Sequence, residues 1–131
     1  MKKDIRFPQV KDVFIVAVKE WNDDFSSHEW NVYLVNNSDA TLEITIVVAR
    51  GASADKKTAT LRHGLGIITP KSSKKVEFIT EEVLSFTNEY LLSYFIDGQL
   101  YDKTFTFAPY TISEKNTKSI PVLDVEGVFA D

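Results

Sequence analysis

The sequence has no cysteine, one methionine, four prolines, five glycines and two histidines. Without cysteine there is no disulfide framework and no thiol chemistry, which fits a reducing compartment. The histidines, His28 and His63, sit in different runs with no HxH or HExxH spacing, so a metal site would need scattered ligands. Both are read as solvent-facing or edge-strand residues, and no cofactor is expected. Long apolar runs are missing too: the longest, Val13 to Val18, is six residues, far short of a membrane span. The start, Met1-Lys2-Lys3-Asp4-Ile5-Arg6-Phe7-Pro8, carries the charge of a signal peptide's first segment. Gln9, Lys11 and Asp12 interrupt any apolar segment that would follow. The cytoplasm is the expected location, with no membrane partner.

Catalytic motifs are also lacking. Nothing reads G-x-S-x-G, and Ser26-Ser27-His28 has suitable residue types but sequence neighbours rarely face each other on a strand. Gly64-Leu65-Gly66 has neither the third glycine nor the following helix of a phosphate loop, and is read as a bend or bulge. Among 19 acids, carboxylate pairs arise by accident, so counting them identifies no glycosidase site. Asp23-Asp24, with Asn22 and Ser26, reads as an ordinary loop rather than a weak calcium site. No enzyme is expected.

The 131 residues are 44% apolar and 26% charged, an ordinary globular balance for one domain over 1–131, with a core over about 12–108. Net charge is −4, which makes nucleic acid an unfavoured partner. From Arg50 to Lys75, however, seven Lys/Arg stand against Asp55 alone, a local charge of +6 that leaves −10 elsewhere. Lys56, Lys57, Arg62 and His63 in this stretch offer an anion-binding edge. Lysines guarding an exposed sheet edge account for the same charges.

Short β-rich runs separated by turn formers predict an all-β, immunoglobulin-like antiparallel sandwich of about seven to eight strands. Val13 to Val18 is apolar on both faces, as a strand covered on both sides would be. Trp30, Val32 and Leu34 share one face of the next run. Leu42, Ile44, Ile46 and Val48 alternate with Glu43 and Thr45, predicting one buried face. Asn36-Asn37-Ser38-Asp39 between these runs predicts a hairpin. A weaker strand is expected over Thr58 to His63. Ile67-Ile68, a Pro70 turn and a strand from Lys74 to Ile79 follow, a pattern of sheet-to-sheet crossovers. Thr80-Glu81-Glu82 predicts a capped short helix to about Phe86.

Asp97-Gly98 between two β-rich runs predicts a type I′ hairpin, which fixes the register. Ile96 then pairs with Gln99, Tyr94 with Tyr101, Leu92 with Lys103 and Tyr90 with Phe105, forming the expected core face. Lys103 falls on this aromatic face, either to contact a ligand or to lay its stem along the rings while its ammonium reaches the edge. The opposite face shows Leu91, Phe95 and Leu100, which call for an apolar cover. The segment 109–131 ends in Ile120, Val122, Leu123, Val125, Val128 and Phe129, too apolar for a solvated tail. It is expected to dock on Leu91, Phe95 and Leu100, within the chain or across a homodimer, with Val122, Leu123 and Phe129 at the contact.

Trp30-Asn31-Val32-Tyr33-Leu34-Val35-Asn36-Asn37, Lys57-Thr58-Ala59-Thr60-Leu61-Arg62-His63 and Tyr101-Asp102-Lys103-Thr104-Phe105 resemble a family of small bacterial proteins. Some of its members carry the name phenylalanyl-tRNA synthetase alpha subunit. The likeness spans about Val13 to Val128. A class II synthetase core needs an arginine-bearing ATP motif and a glycine-rich motif ending in arginine, and neither occurs here, so the resemblance implies no synthetase activity. Two functions follow from the residues: a non-enzymatic interaction or scaffold module that self-associates or holds a protein partner, or a binding module for an anionic ligand or RNA through residues 50–75.

Overall fold

A computed structural model describes residues 8–131; the charged start, Met1 to Phe7, lies outside them. The described residues form nine strands in two antiparallel sheets. One sheet holds β1 (Val13–Asn22), β2 (Ser27–Asn36), β5 (Ser72–Ile79), β8 (Lys118–Ile120) and β9 (Val125–Phe129), in the order β5-β2-β1-β9-β8. The other holds β3 (Leu42–Ala52), β4 (Leu61–Ile68), β6 (Thr87–Ile96) and β7 (Gln99–Phe107), in the order β4-β3-β6-β7. The nine strands exceed the seven to eight expected, because the tail supplies two, β8 and β9. No helix among the described residues is long and apolar enough to cross a membrane.

Ile15, Ala17, Trp30, Val32 and Leu34 from the first sheet meet Leu42, Val47, Ala49, Tyr90, Leu92, Tyr94 and Phe105 from the second in one buried core. β1 is apolar on both faces because both are covered. Its outward Val16 and Val18 join Val35 and Ile120 in a second cluster, against which Phe14, Tyr33, Val122, Leu123 and Phe129 pack. The Asp97-Gly98 hairpin has the predicted register throughout. Both turn residues have positive φ, 50° and 78°, the type I′ geometry. A β-branched residue fits that backbone poorly, so Gly98→Val should lower stability by about 1–2 kcal/mol in urea denaturation.

Five expectations need correction. β2 and β3 do not pair: β2 lies between β1 and β5, whereas β3 lies in the other sheet between β4 and β6. The turn formers after Val35 therefore build an arch between sheets. Asn36, fully buried, organises it by donating from Nδ2 to Ala40 O at 2.8 Å and Thr69 O at 3.0 Å.

Leu42, Ile44, Ile46 and Val48 do not share a buried face either. Ile44 sits at φ 50°, where the register of β3 shifts. The extra residue flips the strand, so Thr45, Val47 and Ala49 face inward and Ile44 is 63% exposed.

The run expected from Thr58 starts as a strand only at Leu61 and continues to Ile68. Gly64 and Gly66 lie within it, opposite the β3 register shifts, and Gly66 has φ 71°; the bulge reading of these glycines holds. The crossover expected after Ile68 is present, since β4 and β5 lie in different sheets. The short helix is a 3-10 turn, Glu81–Ser85, with no side-chain cap from Thr80.

The tail docks, but elsewhere than expected. β9 pairs with β1 through Val16↔Phe129 and Ala17↔Val128, and β8 pairs with β9. Gly127 permits this approach, because a Cβ there would lie 2.8 Å from Ala17 O. Asp131 then exchanges two backbone hydrogen bonds with Thr106 of β7, at 2.8 and 2.9 Å, tying the end of the tail to the second sheet.

Candidate functional site

The sequence-predicted site residues do not converge. Lys103 is on β7 and Arg62 and His63 are on β4, at opposite edges of one sheet. Lys103 stays exposed, with Nζ 4.5 Å from the Phe105 ring centroid, as expected for a stem lying along aromatics. Lys56 pairs with Glu82 at 3.5 Å, and Lys57 bridges through its backbone to Ala52. Arg62 lies opposite Val48 and His63 opposite Val47, so these neighbours point to opposite faces of the sheet. The hydrophobic candidates separate as well. Val122, Leu123 and Phe129 belong to the outer cluster of the five-stranded sheet, whereas Leu91, Phe95 and Leu100 lie on the outer face of the other. The exposed residues of the β1–β2 turn are held locally: Trp21 Nε1 donates to Asp23 Oδ1 at 2.8 Å, and Asn22 Oδ1 accepts from the Asp24 N–H at 2.9 Å.

Two features remain. The first is the outer face of the β4-β3-β6-β7 sheet. Register places Val48 beside Arg62 and Leu91, Ile46 beside Gly64 and Ser93, and Phe95 beside Leu100. These side chains are half-buried to exposed, with Leu100 at 42% and Ile44 at 63%. The result is an apolar stripe with a cation on one edge strand, Arg62, and an anion on the other, Asp102.

The second is a cleft of about 210 Å³ where the edge strands β4 and β5 of opposite sheets come side by side. Glu77 stands opposite Val32, His63 opposite Val47 and Tyr90 opposite Ala49, so all three point to the core side. The Glu77 carboxylate accepts from His63 Nε2 at 2.8 Å through Oε1 and from Tyr90 OH at 2.9 Å through Oε2. Burial, reinforced by the Glu77 charge and hydrogen bond, pushes the Tyr90 hydroxyl far above the ordinary tyrosine range. Tyr90 is therefore a fixed neutral donor. Lys74 Nζ of β5 donates to Leu65 O of β4 at 2.9 Å, a further clasp across the seam. No group of three His, Cys, Asp or Glu among the described residues is placed to hold a metal ion. Of this triad only His63 was singled out from sequence. Glu77 had a signal, since strand alternation puts it on the same face as the core residue Ile79.

Neither a family model, nor a curated protein, nor a solved structure matches the chain.

Proposed function

We propose that the protein is a non-enzymatic, immunoglobulin-like interaction module that pairs with a second copy of itself through the outer face of its four-stranded sheet. Lettered from A to G in chain order, the first seven strands give A, B and E in one sheet and C, F and G in the other. That split supports the immunoglobulin-like reading, with the fourth strand on the C side rather than beside E. The observation that carries the functional reading is the apolar stripe of Ile46, Val48, Leu91, Phe95 and Leu100, which the tail leaves bare.

The occupant is a second copy because the face complements itself. A two-fold axis along the strands lays β4 of one copy over β7 of the other. Arg62 then meets Asp102 and Thr104 of the second copy, twice, around a shared apolar centre. Light scattering at high micromolar concentration should give a dimer for the parent. Arg62→Asp should weaken it by roughly tenfold, and the double variant Arg62→Asp/Asp102→Arg should restore it. A monomeric parent, or a double variant no better than the single one, overturns the proposal.

A further inference from the structure

The cleft between β4 and β5 is independent of the dimer face, and we propose that it binds a small organic cation: an ammonium head on a compact apolar body. Glu77 carries the argument. It lines the cleft and is half-buried, its side chain 19% exposed. Among the ion pairs of the described residues it meets no lysine or arginine; His63 and Tyr90 are its partners. An ionised carboxylate taken out of water costs free energy unless opposite charge or several donors compensate it. Here two donors fix its direction and leave its charge to act on whatever enters.

The rest of the cleft suits the remainder of such a ligand. Ala49, Leu61, Ile79, Val83 and the buried Tyr90 supply apolar wall. Among the described residues Arg50 is the one cation lining the cleft, and it is neutralised by Glu89, with Nε 2.9 Å from Oε1. At about 210 Å³ the space falls below that of a drug-sized site, which restricts the body to about one ring or a short alkyl chain. An anion of the same shape would be repelled by Glu77, so the sign of the charge is the discriminating property.

The test uses 2-phenylethylammonium and, as its charge-reversed counterpart, 3-phenylpropanoate, each titrated into the full chain and followed by amide and methyl NMR shifts. The ammonium should bind saturably, with shifts centred on Leu61, Ile79 and Tyr90, and the carboxylate should bind at least about tenfold more weakly. Glu77→Gln should cost at least about tenfold in ammonium affinity. Ala59→Trp, at an exposed position lining the cleft, should block binding by filling the mouth without touching the core, and decides the matter should Glu77→Gln not fold. Equal binding of the two probes overturns the proposal. So does parental ammonium affinity in Ala59→Trp or in a folded Glu77→Gln. Because Arg62 and Asp102 take no part, a monomeric parent that still binds the ammonium separates failure of the dimer from failure of the cleft.

Discussion

A chain cut after Thr111 is expected not to fold. The segment removed contains Ile112, Ile120 and Val128, which are 4%, 1% and 4% exposed. At about 1.5–3 kcal/mol for each fully buried side chain, the three together contribute roughly 5–9 kcal/mol before ordering costs. The whole stability of a domain this size is about 5–15 kcal/mol. The loss goes further, since β1 forfeits a hydrogen-bonded neighbour and Val16 and Val18 lose their cover of Ile120, Val122, Leu123 and Phe129. The tail is thus a structural strand pair of this chain rather than a segment held in reserve for a partner. Circular dichroism and a one-dimensional proton spectrum should show loss of the cooperative transition and of shifted methyl signals. A truncated protein that melts at the parental temperature would refute this account of the tail.

How well the sequence revealed each element depended on whether local chemistry settled its geometry. Asp97-Gly98 settles its own, because a two-residue type I′ turn admits one register, and every pair followed. The doubly apolar β1 was equally legible, since only a strand covered on both sides tolerates Phe14, Val16 and Val18 outward. β3 was misread because face assignment by alternation assumes an unbroken period. One residue at positive φ, Ile44, inverts every side chain after it. An isoleucine there gives no warning, whereas the glycines opposite it did.

The arch after Val35 failed for a different reason. Asn, Ser and Asp favour turns in general, and nothing in their identity separates a hairpin within one sheet from a crossing between two. The tail's apolar character was legible but its destination was not, because burial demand names no particular surface. The same limit hid the Glu77 cluster. Its members stand on β4, β5 and β6, drawn from both sheets, so no spacing along the chain foretells that they meet.

The arch supplies the second large effect, from a change of one atom. Asn36→Asp should destabilise the domain by at least about 3 kcal/mol at neutral pH, although the side chains have nearly the same shape. Asn36 is fully buried. Its Nδ2 donates to the carbonyls of Ala40 at 2.8 Å, Thr69 at 3.0 Å and Ile68 at 3.3 Å, while Oδ1 accepts from Ser38 N at 3.1 Å and Ser38 Oγ at 2.6 Å. One amide therefore ties the β2–β3 connection to the β4–β5 connection, two of the four places where the chain passes between sheets. A carboxylate in its place would aim a negative oxygen at three carbonyl oxygens and leave all three without this donor.

The pH dependence separates this cause from loss of packing. Burial and the facing carbonyls favour the protonated acid, so the introduced carboxyl has a folded-state pKa above its unfolded value of about 3.9. The variant's deficit relative to the parent should then be smallest below that value, where a protonated oxygen still donates one hydrogen bond. It should grow as pH rises from about 4 towards the folded pKa, and level off above it. Urea midpoints of variant and parent, compared at pH 4 and pH 7, measure the growth directly. A deficit equal at both values, or below about 1 kcal/mol at pH 7, would mean that Asn36 is not the tie between the two arches.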